Sequence, residues 1–145
     1  MLTTDQKGAV AELAIAHAAA ELGVGVFTPL TDGERYDLIL DAGSRLLRVQ
    51  CKWAPLDRQT VIVRCYSNRR AREGLRRRSY TASEADAIAA YCPDLDRCFL
   101  VPASRFDGHS QLVLRLAPSK NGQRVGVNWA EDFDFDARLT ALLGP

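Results

Sequence analysis

The residues whose types and spacing most demand explanation are Asp37, Gln50 and Lys52. Asp37 lies in Tyr36-Asp37-Leu38-Ile39-Leu40, and Gln50 and Lys52 lie in Leu47-Arg48-Val49-Gln50-Cys51-Lys52, two stretches that are otherwise largely apolar. In an extended strand successive side chains alternate, so Gln50 and Lys52 share a face, with Asp37 on the preceding strand opposite them. An unpaired charge among apolar neighbours is costly, and a bound divalent cation would remove that cost. Magnesium takes oxygen ligands and keeps several waters. The Asp37 carboxylate, the Gln50 side-chain carbonyl and the Cys51 backbone carbonyl would therefore form an incomplete shell for it. Beside such an ion, Lys52 could orient or deprotonate a water and stabilise charge developing on a phosphate. The plainer alternative is a cross-strand salt bridge between Asp37 and Lys52 on a solvent-facing sheet.

Placing these residues requires strands, and the local signals supply them. Segments 25–29, 36–40 and 45–53 read as strands, the last two joined as a hairpin through Asp41-Ala42-Gly43-Ser44, whose glycine can take positive φ. Before them, residues 4–22 read as a helix, with Thr3 and Gln6 spaced as a capping box and Gly23 as its stop. Val10, Leu13, Ala14 and His17 share one face of it, and Glu12 shares another with Ala16 and Ala19. Glu12 thus either faces inward or is an ordinary solvated glutamate. Residues 60–66, 98–102 and 112–116 read as further strands, while the alanine-rich 83–91 is ambiguous between helix and strand. Asn128 with Glu131 could cap a terminal helix through Leu143, stopped by Gly144. This order of elements predicts an α/β or α+β layered fold.

Composition narrows the function classes. With 145 residues, 47% of them hydrophobic, the chain has the length and apolar content of one domain. It has no run of about eighteen apolar residues and no basic-then-apolar start, so no membrane span and a cytoplasmic location are expected. Cys51, Cys65, Cys92 and Cys98 form no CxxC pair and His17 and His109 lie far apart, which excludes a zinc-ligand pattern. Cys51 and Cys65, in apolar runs, read as small core residues with reduced thiols.

The net charge is only +1, but it is unevenly distributed. Arg64, Arg69, Arg70, Arg72, Arg76, Arg77 and Arg78 stand against Glu73 alone, so residues 64–78 carry +6 and the remainder −5. Local clustering of this kind suits phosphate contacts, because counterion release rewards a concentrated patch. The alternative is a solvated arginine-rich loop. With no apolar periodicity and a glycine inside it, the segment reads as a loop or lid.

Arg35-Tyr36-Asp37-Leu38-Ile39-Leu40-Asp41, followed thirteen residues after Asp37 by Gln50 within Val49-Gln50-Cys51-Lys52, resembles the PD-(D/E)XK nuclease superfamily. More narrowly, it is similar to the group I intron homing endonuclease branch, in which glutamine replaces the acidic residue of the second motif. Gly8-Ala9-Val10-Ala11-Glu12, Tyr80 with Asp86, Val101-Pro102, 118–123 and Trp129-Ala130-Glu131-Asp132-Phe133 resemble that branch too, so the similarity spans almost the whole chain. The proline of the family name is not adjacent to Asp37; the nearest upstream is Pro29.

The resemblance implies a restriction-endonuclease-like core, a central mixed sheet flanked by helices, and a strand around 86–91. It also implies phosphodiester hydrolysis dependent on Mg2+, with Mn2+ as a substitute, and site roles for Glu12, Asp37, Gln50 and Lys52. Because Gln50 brings no charge, Asp37 and Glu12 would neutralise the ion. The expected substrate is double-stranded DNA, cut by a homo-oligomer, dimer or tetramer, that places two sites across the duplex. Two alternatives stand beside this one: a Holliday-junction resolvase-like or repair nuclease, and a DNA-binding module that keeps the scaffold without chemistry.

Overall fold

A computed structural model describes residues 1–144, with the side chains of Arg69 and Arg70 outside that description. Helix α1 (Thr4–Glu21) begins where the sequence marks it: Thr3 Oγ1 accepts from the Gln6 N–H at 3.1 Å, and Gln6 Oε1 accepts from the Thr3 N–H at 2.9 Å. Gly23, at φ +79°, turns the chain out of the helix. The face of α1 that is fully buried carries Ala11, Ile15 and Ala19, whereas Leu13 on the other apolar face stays 69% exposed.

After α1 come β1 (Gly25–Phe27), β2 (Leu38–Asp41) and β3 (Leu46–Trp53), then β4 (Leu56–Asp57) and β5 (Thr60–Arg64). The hairpin strands β6 (Tyr66–Ala71) and β7 (Gly74–Ser79) follow, then β8 (Ala87–Cys92) and β9 (Arg97–Pro102). The chain ends with the short helix α2 (Ala103–Phe106), β10 (Gln111–Arg115), β11 (Asn128–Trp129), a 3-10 turn (Ala130–Phe133) and helix α3 (Phe135–Leu143).

The central sheet runs β1-β2-β3-β8-β9, antiparallel except where β3 and β8 pair in parallel. Alternation along β3 sends Leu47, Val49 and Cys51 into a core shared with Ile15 and Ala19 of α1 and Phe135 and Leu139 of α3. On the opposite face, Ile88, Ala90 and Cys92 of β8 pack with Val61 and Val63 of β5, Phe106 and Phe133. That face is covered by a second sheet, β11-β10-β5-β4. The result is an α/β architecture of helices, mixed sheet and smaller sheet.

The alanine-rich stretch that is ambiguous in the sequence is strand β8 from Ala87. It is buried on both faces and paired on both edges, and this placement overrides alanine's helical preference. Its small side chains let α1 lie close. At its entrance Asp86 accepts from the Arg48 backbone N–H at 2.8 Å and from Arg48 Nε at 3.1 Å, fixing the parallel junction with β3.

Two expectations are corrected. The arginine-rich segment is not a loop or lid but an antiparallel hairpin, β6 on β7, registered from Tyr66↔Ser79 to Ala71↔Gly74 around a two-residue tip, Arg72-Glu73. It shows no apolar periodicity because β7 is exposed on both faces, so no buried side governs its composition. The terminal helix starts at Phe135, capped by Asp134 Oδ2, which accepts from the Ala137 N–H at 3.1 Å. Asn128 instead belongs to β11, which pairs in parallel with β10 and so draws that residue out of any cap.

Candidate active site

Asp37 stands immediately before β2. Its backbone N–H donates to the Val49 carbonyl at 2.9 Å, and its Oδ2 accepts from the Cys51 N–H at 2.8 Å. One acid is thus tied by two bonds to the strand that carries Gln50 and Lys52. Gln50 Nε2 donates to the Cys51 carbonyl at 3.3 Å, which brings the amide side chain and that backbone oxygen side by side. Lys52 Nζ donates to the Tyr66 carbonyl at 2.9 Å and lies 4.9 Å from the centre of the Tyr80 ring. Asp37 and Lys52 are half-buried and, among the described ion pairs, do not pair directly. The exposed cross-strand salt bridge is therefore not what this geometry builds.

Glu12 reaches the same end of the sheet from α1. Burial raises its pKa, and the charge of Asp37 adds to the rise. Burial likewise raises Asp37, opposed by the Cys51 N–H and by Lys52. For Lys52, burial lowers the pKa against the pull of Asp37, and Arg35 lowers it further. A carboxylate whose proton affinity is raised by a neighbouring carboxylate marks a place where a cation would be favoured. The groups that could hold one are hard oxygens, the carboxylates of Glu12 and Asp37 with the Gln50 amide and the Cys51 carbonyl, a donor type that magnesium accepts. The Cys51 thiol, pushed well up chiefly by burial, stays protonated and offers no thiolate. Among the described residues no three His, Cys, Asp or Glu side chains come together as a metal-holding group, so an ion here would have two acids and two neutral oxygens to bind.

The arginines divide into groups. Arg72 sits at the hairpin tip; Arg76 pairs with Glu73 at 3.2 Å; Arg77 lies over the Tyr66 ring at 4.5 Å. Arg78 donates to Glu84 at 2.8 Å and is partly committed to the stem. Arg64 lies outside the hairpin, exposed at the end of β5, where its charge helps lower Lys52. Arg69 and Arg70 occupy β6, and their side chains fall outside the described set.

The chain matches the family described as PD-(D/E)XK endonuclease over residues 2–136. It belongs to that family. A solved bacterial homing endonuclease, I-Ssp6803I, superposes with a TM-score of 0.75 at 25% identity, covering 96% of this chain and 93% of that one. A search of curated proteins found no match. Asp37, Gln50 and Lys52 lie within the stretch of this PD-(D/E)XK endonuclease that matches the family. A groove of about 660 Å³ between α1 and β9, lined by Leu13, His17, Tyr91, Cys98 and Asp134 among others, includes none of those three residues. No described helix is long and apolar enough to cross a membrane.

Sequence reasoning missed Arg35, Ser67 and Glu84. Arg35 is visible beside Asp37 in the Arg-Tyr-Asp motif, but its partners lie 32 to 49 residues away and leave no local trace.

Proposed function

We propose that this PD-(D/E)XK endonuclease hydrolyses phosphodiester bonds in double-stranded DNA with a divalent cation, in the manner of a homing endonuclease. The observation that carries the reading is the fixing of the Asp37 carboxylate on the Cys51 N–H, beside Gln50 and within electrostatic reach of Glu12 and Lys52. Glu12, Asp37, the Gln50 amide oxygen and the Cys51 carbonyl hold the ion, Mg2+ with Mn2+ as substitute. When bound, the ion acidifies the attacking water and polarises a phosphoryl oxygen.

The protein's own groups supply the rest. Asp37 is oriented before substrate arrives, so little reorganisation remains at the reacting centre. Lys52, with its pKa lowered by burial, orients the water, exchanges a proton with it and steadies charge on the phosphate. The hairpin supplies the phosphate grip. Arg72 at its tip and the exposed Arg76 and Arg77 of β7 concentrate the positive charge that a polyanion's counterion release rewards. Both strands of a duplex are cut by a symmetric homo-oligomer, dimer or tetramer, that presents two such sites.

Plasmid nicking with and without magnesium tests the reading. Wild type should cut only with the ion, and Lys52→Ala should bind DNA without cutting. Binding without cutting by the wild type in either metal would leave a non-catalytic module in its place.

A further inference from the structure

Two basic side chains leave the site region and both end on the arginine hairpin. Arg35, two residues before Asp37, directs its guanidinium to four partners. Its Nε donates to Glu84 Oε2 at 3.1 Å and its Nη1 to Ser67 Oγ at 2.6 Å. Its Nη2 donates to the carbonyls of Arg78 and Ser79 at 3.2 and 3.1 Å. Lys52 reaches the Tyr66 carbonyl. Tyr66 and Ser79 are paired at the base of the hairpin, so β6 is held through Tyr66 and Ser67, and β7 through Arg78 and Ser79.

Tyr80 links the two cations. Its ring, in a residue 3% exposed, lies 4.1 Å from the Arg35 guanidinium carbon and 4.9 Å from Lys52 Nζ. Glu84 completes the assembly by accepting from Arg78 as well as from Arg35. An arginine whose side chain is only 18% exposed and engaged by four acceptors is not a free phosphate contact. Its planar fork suits fixing one backbone against another.

We propose that Arg35 is a positioning residue for cleavage: by fixing the hairpin stem to the end of β2 that bears Asp37, it sets which phosphodiester of a hairpin-bound duplex lies at the site. The inference rests on the function proposed above. If the hairpin holds the duplex and the strands hold the chemistry, the rigidity of the joint between them decides the register of the cut. Displacement of about 1 Å there costs on the order of a hundredfold in rate while every phosphate stays gripped.

The test uses the full chain and an end-labelled duplex spanning a bond that the wild type cuts in plasmid DNA. Saturated single-turnover rates are measured in magnesium, affinities in calcium, and cut positions on a sequencing gel. Arg35→Gln should slow the saturated rate by about 30- to 100-fold, leave affinity within about threefold, and spread cuts over neighbouring bonds. Arg35→Lys should fall between the two. Ser67→Ala, which keeps Arg35 but removes one tie, should show a smaller loss with the same spread. A merely structural arginine would lower the amount of active protein but leave the cut at one bond. A single unchanged bond, a wild-type saturated rate, or a loss confined to affinity overturns the inference. Should Arg35→Gln fail to fold, Ser67→Ala decides by the same criteria. Wild-type protein that cuts no DNA would defeat the functional reading and this inference with it; a cutting wild type with an unchanged variant defeats the inference alone.

Discussion

The Asp37 carboxylate accepts the Cys51 N–H at 2.8 Å, so the acid at the entrance of β2 and the strand carrying Gln50 and Lys52 are oriented as one unit. An asparagine at position 37 keeps an oxygen for that N–H but loses the charge. Asp37→Asn should therefore fold and lose cleavage by at least about a hundredfold. Because burial makes the native charge costly, its melting temperature without metal should equal or exceed that of the wild type. Magnesium should raise the wild-type melting temperature and leave Asp37→Asn unmoved. A destabilised Asp37→Asn with a normal magnesium response would remove Asp37 from the ion's shell.

The arginines of the hairpin should not contribute equally. Arg72, Arg76, Arg77 and Arg78 are all exposed, but the partner of Arg76 is the exposed Glu73, whereas Arg78 is tied to the half-buried Glu84 at the stem. Replacing Arg72, Arg76 and Arg77 by alanine should weaken duplex binding and reduce the slope of log affinity against log salt by up to about 0.9 for each phosphate no longer neutralised. Arg78→Ala should flatten the slope less and lower thermal stability more. Fluorescence anisotropy titrations across a salt series, with melting curves, distinguish the two classes; equal slopes for all four would contradict it.

Acid should loosen the junction of β3 and β8. Burial pushes Asp86 up, but the side-chain and backbone hydrogen bonds from Arg48, with the nearby charge of Arg45, outweigh it and hold the carboxyl below its ordinary value. A depressed folded-state pKa gives stability that is present above the unfolded value and lost as pH falls through the folded one. Asp86→Asn should cost about 2 kcal/mol near neutral pH, and the gap to the wild type should close as pH falls below the ordinary carboxylate range. Urea unfolding at a series of pH values measures it. A gap that stays constant through that range would deny the linkage.

Packing between α1 and the sheet leaves no room for larger groups on β8. Ala89 is fully buried against the α1 side of the sheet, so Ala89→Leu should destabilise by about 1–3 kcal/mol through overpacking. Chemical denaturation reads this directly, and a neutral result would mean that the helix is free to lift.

The strands that hold Asp37, Gln50 and Lys52 were legible because an alternating pattern with one buried face constrains every second residue. So was α1, whose cap is a local reciprocal bond between Thr3 and Gln6. The hairpin was not, because a ribbon exposed on both faces has no apolar period to show. The start of α3 was misplaced because Asn128 with Glu131 fits a capping box locally, and only the tertiary pairing of β11 excludes it in favour of Asp134. Arg35 was visible as a letter in a motif, but its four acceptors arrive from Ser67, Arg78, Ser79 and Glu84, a meeting that only folding creates.

The ribbon of β6 and β7 hydrogen-bonds as a sheet of its own, and past Tyr66 no described residue of it joins the buried apolar set. Its tip can consequently be lengthened, trimmed or exchanged without repacking the layers beneath. Under the function proposed above, recognition and reaction would be free to diverge at separate speeds, provided that the few residues at the ribbon's root stay in place.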